Sequence, residues 1–399
     1  MTFDQNFLMK RLVFPSLLIL MSGIFAVPVN AYVGLCCGKC GGNMPMNIPG
    51  GGVPETHEFR FKLSPMFMRM EGLDDGGNHV RRKDLLGMPL MMGNPTGKFM
   101  AVPENMDMGM LNLAAGYSFT DDFFAGLMLM VQSKRMDMRF NSMMAASTGQ
   151  DGYTMDSEGM ADTMLMAKYR LYTDDPLIPR RQVSLFMGLS LPSGSIDEKN
   201  DNHPLAMRRG ELLPYSMQLG SGTFDPTLGL LYQGSLSPWW WGTNAMYTHR
   251  FYNNSRDYRR GNELRLDLYG MYQFRYDMLA QLQLGGQHSG NIHGEMDAAV
   301  DGAAGRVTQG EPASPYMSPL WNPENYGGDK LLLSLGLQWQ PASLHILDLT
   351  LGLPLYQNLN GPQLEESYRV MLTWYRELPT AASIRFRGKT TNGHSSLGF

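Results

Sequence analysis

Three cysteines stand within five residues, Cys36, Cys37 and Cys40, and Met44 and Met46 follow close behind. Thiolates and thioethers are soft ligands, so this cluster could coordinate Cu(I). The Cys37 and Cys40 pair could instead close a disulfide in an oxidising compartment, or tether a partner, leaving Cys36 spare. One CxxC does not make a tetrahedral zinc site, and the chain holds no second pair. The surrounding CCGKCGGNMPMNIPGGG, Cys36 to Gly52, is too rich in Gly and Pro for a strand of any length.

Methionine is the second unusual chemistry. The chain has 34, and 20 of them fall between Met66 and Met166. Their spacing is every second residue. In HEFRFKLSPMFMRM, Arg60 and Lys62 share parity with Met66, Met68 and Met70. In MDMGMLNLAAGYSF, Met106, Met108 and Met110 oppose Leu111, Leu113, Tyr117 and Phe119. In FAGLMLMVQSK, Met128 and Met130 fall with Gln132 and Lys134, against Leu127, Leu129 and Val131. In GMADTMLMAKYRLY, Met164 and Met166 fall with Asp162, Lys168 and Arg170. Side chains on a strand alternate faces, so each parity is one face. Methionine therefore shares a face with charge while the leucine face lies opposite. Three readings stay open. Methionine could fill irregular space, form an adaptable wall for apolar solutes, or present neighbouring sulfurs to a soft metal.

Stepping from residues to elements, twelve period-2 segments recur, near 57–71, 106–119, 122–134, 160–173, 181–191, 224–235, 239–252, 262–275, 276–288, 330–340, 344–354 and 366–377. Most are about ten residues or more, the length a tilted transmembrane strand needs. Their connections alternate. Short ones fall at Thr120-Asp121, Thr173 to Arg180, Leu236 to Pro238, Tyr276-Asp277 and Pro341 to Ser343. Long ones fall near 72–105, 135–159, 192–223, 253–261, 289–329 and 355–365. Short periplasmic turns and long extracellular loops mark outer-membrane barrels. Outward faces read as Val183, Leu185, Met187, Leu189 and Leu191, as Leu264, Leu266, Leu268, Tyr272 and Phe274, and as Val370, Leu372 and Trp374. Trp239, Trp240, Trp241, Trp339 and Trp374 near strand ends suit the membrane interfaces.

The first 31 residues read as a signal peptide. Lys10 and Arg11 precede an apolar run from Leu12 to Val27, with cleavage expected after Ala31. Only 18% of residues are charged and the net charge is -4, which gives no basic surface for nucleic acid. No catalytic constellation stands out. GxSxG is absent, and the adjacent pairs His288 with Ser289 and Glu365 with Glu366 would face opposite ways on a strand. The loop Ser195 to His203, with Asp197, Glu198 and Asp201, reads as a solvated loop that could hold a hard cation. No enzymatic activity is expected.

CCGKCGGNMPMNIPGGG, YRLY (Tyr169 to Tyr172), LPSGSIDE (Leu191 to Glu198), LPYSMQLGSGTFD (Leu213 to Asp225), GNIHG (Gly290 to Gly294) and LPLYQNLNGPQLE (Leu353 to Glu365) carry a resemblance. The chain resembles a group of Gram-negative outer-membrane proteins labelled as transporters and similar to proteins of the meta-pathway of phenol degradation. The resemblance spans nearly the whole mature chain and implies a barrel with an uptake or export role. It departs at the C-terminus. SYRVMLTWYREL is followed by a tail ending at Phe399, so the barrel-assembly machinery is expected to read Trp374 and Tyr375 as the barrel end.

The expectation is therefore an all-β protein. After the signal peptide come a Cys-, Met- and Gly-rich periplasmic tail over 32–56, an antiparallel transmembrane β-barrel of twelve strands over 57–377, and a C-terminal tail over 378–399. It would sit in outer-membrane lipid and pass a small, apolar or aromatic solute. The lumen would be lined by Met66, Met68, Met70, Met106, Met108, Met110, Met128, Met130, Met164 and Met166, with Arg60, Lys62, Asp162, Lys168 and Arg170 setting charge selectivity. The alternative is a copper-handling outer-membrane protein built on Cys36, Cys37, Cys40, Met44 and Met46.

Overall fold

The structure, a computed structural model, describes residues 44–386 apart from 52, 54, 176–178, 298–304, 309, 310 and 312. The stretch read as a signal peptide and all three cysteines lie outside the described residues. Twelve antiparallel strands form the wall. They are β1 (Glu58–Asp75), β2 (Ala101–Ser118), β3 (Phe123–Phe140), β4 in two pieces (Gly152–Met160 and Thr163–Thr173), β5 (Arg181–Leu191) and β6 (Asp225–Leu236). The circuit continues through β7 (Trp239–Thr248), β8 (Glu263–Arg275), β9 (Met278–Ser289), β10 (Gly328–Ala342), β11 (His345–Leu359) and β12 (Gln363–Pro379). Each strand pairs with its sequence neighbours, and β1 pairs with both β2 and β12, so the sheet closes. Closure removes the sheet edges and satisfies every ladder within the wall, which is what allows strands to cross lipid.

Alternation decides which face meets lipid. Leu264, Leu266, Leu268, Tyr272 and Phe274 are exposed on β8, while Asp267 and Met271 between them are buried. Leu282, Leu335, Leu349 and Leu351 extend the outer apolar band across β9 to β11. Near the short turns, Trp239, Trp241, Tyr272, Tyr276 and Trp339 are exposed, and the Trp239 and Tyr272 rings meet at 4.4 Å. Trp240 departs from the expected aromatic belt. Its parity turns it inward, where it is buried in the interior cluster.

The expected strand positions recur with three differences. Strands β1, β2 and β3 each run 18 residues and so rise well past the membrane on the long-loop side. The fourth strand is broken at Ala161 and Asp162, where β3 changes partner from one piece to the other. The last connection is three residues, 360–362, rather than a long loop, because β11 and β12 continue pairing β10 and β1 to their ends. At the seam between β1 and β12, the described part of the C-terminal tail acts as a clasp. Arg385 Nε donates to Glu58 Oε1 at 2.7 Å and its Nη2 to Glu377 at 2.7 Å.

Candidate functional site

The interior divides into two levels. At the short-turn end, residues Met44 to Gly51 run inside the barrel as two successive turns, with Ile48 N donating to Pro45 O at 3.1 Å and Gly51 N to Ile48 O at 3.0 Å. This corrects the expectation of a free periplasmic tail for that stretch. A segment without a ladder leaves its carbonyls to be satisfied by side chains. Four wall side chains do this. Arg60 donates to Gly51 O at 2.5 Å, Lys62 to Met46 O, Lys168 to Gly50 O at 3.5 Å and Gln338 to Met44 O at 3.4 Å. Met44, Ile48 and Val53 pack with Phe124, Phe186 and Leu231 in one apolar cluster. Gly50 sits at φ +79°, and a Cβ there would meet the Phe186 ring at 3.1 Å, so glycine suits the turn on both counts.

At the long-loop end lies a cavity of about 400 Å³. One side is a sulfur wall of Met70, Met106, Met108, Met110 and Met136 from β1, β2 and β3. Register brings these together. Met70 pairs Met106, and Met106 in turn pairs Met136 on β3, while Met66 and Met68 continue the row beside Met110 and Met108. Directly paired residues share a face, so the pleat alone stacks the thioethers. The remaining lining includes Tyr215 and Tyr326 from the loops, together with Lys134, Arg250, Arg260 and Lys330.

The other sequence-read residues fall elsewhere. Met166 belongs to the cluster around the inner segment, with Met128 and Met164 packed against it, and Met130 is half-buried opposite Asn112. Arg170 pairs Asp122 at 2.7 Å near the short turns. Asp162 sits at the break in β4 and accepts from Gly194 N at 2.9 Å and Ser221 N at 2.8 Å, anchoring the loop over 192–224. Of the five charges assigned to selectivity, then, three hold the inner segment, one makes an ion pair and one brackets a loop. Met44 Sδ lies 3.9 Å from the Lys168 ammonium, and a fixed cation beside a thioether does not fit a Cu(I) ligand there. Among the described residues no group of three His, Cys, Asp or Glu side chains is placed to hold a metal.

Of the cavity cations, Lys134 is placed in sequence on the methionine face beside Gln132 without a role of its own, and the others are not singled out there. Arg250 and Arg260 lie in a loop, where no period assigns a face.

Loops close over the cavity from above. Lys134 donates to Ser216 O at 3.0 Å and Gln218 O at 2.8 Å, and Arg260 donates to Gln218 O at 3.2 Å and Gly220 O at 2.9 Å. In the same loop His203 stacks near Tyr153, with ring centroids 4.5 Å apart, and its Nδ1 accepts from Leu205 N at 3.1 Å. Burial, with the Arg208 charge adding to it, lowers His203 to about 4.

A closed antiparallel wall, apolar outside and holding a cavity inside, defines a Gram-negative outer-membrane β-barrel. The family model described as "Putative MetA-pathway of phenol degradation" matches residues 119–312, which is the family the sequence motifs resemble. The crystal structure of an outer membrane channel from Pseudomonas putida F1 is similar at TM-score 0.51 and 15% identity, over 82% of this chain and 97% of that chain. The toluene transporter TodX of Pseudomonas putida aligns at TM-score 0.41 and 10% identity, over 81% of this chain and 90% of that chain. At 15% identity the likeness to the Pseudomonas putida F1 channel is one of fold. No curated protein matches the chain.

Proposed function

We propose that this barrel binds and passes a small apolar or aromatic solute, with the cavity at the long-loop end as its entry site. The observation that carries the reading is the sulfur wall of Met70, Met106, Met108, Met110 and Met136 on a cavity of about 400 Å³. That volume falls in the range of small-molecule pockets. Thioethers are flexible and polarizable and meet aromatic ring edges favourably, so such a wall adapts to rings of different shape. The family match to a phenol-degradation group supports the same class of solute.

The test is flux in proteoliposomes. Small aromatic solutes are expected to enter faster than sugars of similar mass. The variant M106S/M108S/M110S is expected to slow the aromatics by about tenfold, since each thioether contact with a ring contributes about 0.3–1.5 kcal/mol. Equal aromatic flux through the wild type and the triple variant would overturn the reading.

A further inference from the structure

The cavity is two-sided, and its second side has a chemistry that a purely apolar solute would not use. The cavity lining carries four cations, Lys134, Arg250, Arg260 and Lys330, and one carboxylate, Glu263, and of these Lys134 stands on the sulfur side, paired directly with Met108. Arg250 is neutralised by Asp225 at 3.1 Å. Lys134 and Arg260 donate to loop carbonyls. Lys330 stands apart from these. It faces inward on β10, half-buried, with no hydrogen bond or ion pair among the described residues, and Glu366 and Glu263 attract it only from beyond contact distance. The acid nearest in function, Glu366, is taken up by Arg369 at 2.5 Å. Counting Arg260 and Lys330 against Glu263 leaves a cationic excess on this side.

Barrel topology sets the two sides apart. Counting around the wall, β8, where Glu263 begins next to Arg260 and Gly261, lies six strands from β2 in either direction. The row of Met106, Met108 and Met110 on β2 therefore looks across the lumen toward Arg260 at the start of β8, and Lys330 on β10 lies four strands from β2 by way of β12 and β1. A half-buried ammonium with no hydrogen-bonded partner favours a ligand that brings a carboxylate into contact with it. A neutral aromatic would satisfy the sulfur side alone. A sugar would satisfy neither.

We infer that the cavity selects small aromatic carboxylates, with the ring against the β2 methionines and the carboxylate on Lys330 and Arg260. This rests on the solute-channel reading above and narrows it to an anionic class. Lys134 holds the loop, and Glu263 repels a carboxylate that sits too low.

Benzoate and its neutral isostere benzamide are the probes, and the readout is the ratio of their fluxes in proteoliposomes containing the full chain. Wild type is expected to favour benzoate. K330Q is expected to lower the ratio by about tenfold, the scale of one charge-assisted hydrogen bond. K330R keeps the charge and is expected to keep most of the ratio. E263Q is expected to raise it. Should K330Q assemble poorly, R260Q and benzoate titration of the detergent-purified wild type give the same comparison. A wild-type ratio of one or below, or a ratio untouched by both K330Q and R260Q, overturns the inference while leaving the channel reading intact. Absence of flux for both probes sinks the two together.

Discussion

His203 shows how much a single ring in the loops can report. Its neutral Nδ1 accepts the Leu205 amide, its ring packs by Tyr153, and burial holds its pKa down at about 4. The sign follows from which state takes the proton. Above the ordinary imidazole value, 6.5, the ring is neutral whether the loop is packed or open, and its packing contributes fully. Between 6.5 and about 4 only the opened loop takes a proton, so stability falls as the pH drops through that window. Below about 4 both states are protonated and the loss levels off. Protection factors over 192–224, taken against the intrinsic exchange rate at each pH, are expected to fall from pH 7 to pH 5, and H203F is expected to remove most of that step. Identical protection factors at the two pH values in the wild type would show that His203 does not hold the loop. Asp162 makes a related point. Its carboxylate is inward by parity, as the sequence indicates, but the break in β4 turns it onto Gly194 and Ser221. A charge on the inner face is legible from spacing, whereas the group it will bind is set by loops that carry no period.

At the scale of elements, the strands were the most readable part of the chain. Alternation fixed β5 as Arg181–Leu191 in both sequence and structure, and it put Leu264, Leu266 and Leu268 on the outside. The inner segment was not readable that way. CCGKCGGNMPMNIPGGG was recognisable as irregular backbone, but irregular backbone gives no address, and its place inside the barrel depends on Arg60, Lys62, Lys168 and Gln338 meeting its carbonyls. Those same bonds say how a path could open. Passage from the upper cavity to the short-turn end requires Met44 to Val53 to move aside. K62M/K168M removes two of the four polar anchors, while Met44 and Ile48 stay buried against Phe124 and Phe186. Single-channel conductance is expected to rise several-fold in K62M/K168M and further when residues 32–53 are deleted, because one hydrogen bond to a charged group contributes about 1.5–3 kcal/mol. Unchanged conductance in the deletion would mean that the inner segment does not obstruct the lumen.

For the whole molecule, closure is what turns a pattern into a site. A row of methionines every second residue is only a face until β1 pairs β2 on one side and β12 on the other. Once the ring closes, β2 faces β8 across the lumen, and thioethers meet cations that are more than a hundred residues away in sequence. The barrel, its strand count and its outer face follow from alternation and turn length. The cavity does not, since half of its lining comes from long loops and from opposite strands whose juxtaposition no local signal encodes. The most direct measurement is photolabelling with a small aromatic carboxylate bearing a diazirine, followed by mass-spectrometric mapping of the adducts in the intact membrane. The predicted adducts fall on Met106, Met108, Met110 and Tyr326, and excess benzoate suppresses them. Adducts confined to Leu111, Leu113 and Leu127 on the outer face, or insensitive to benzoate, would contradict the account.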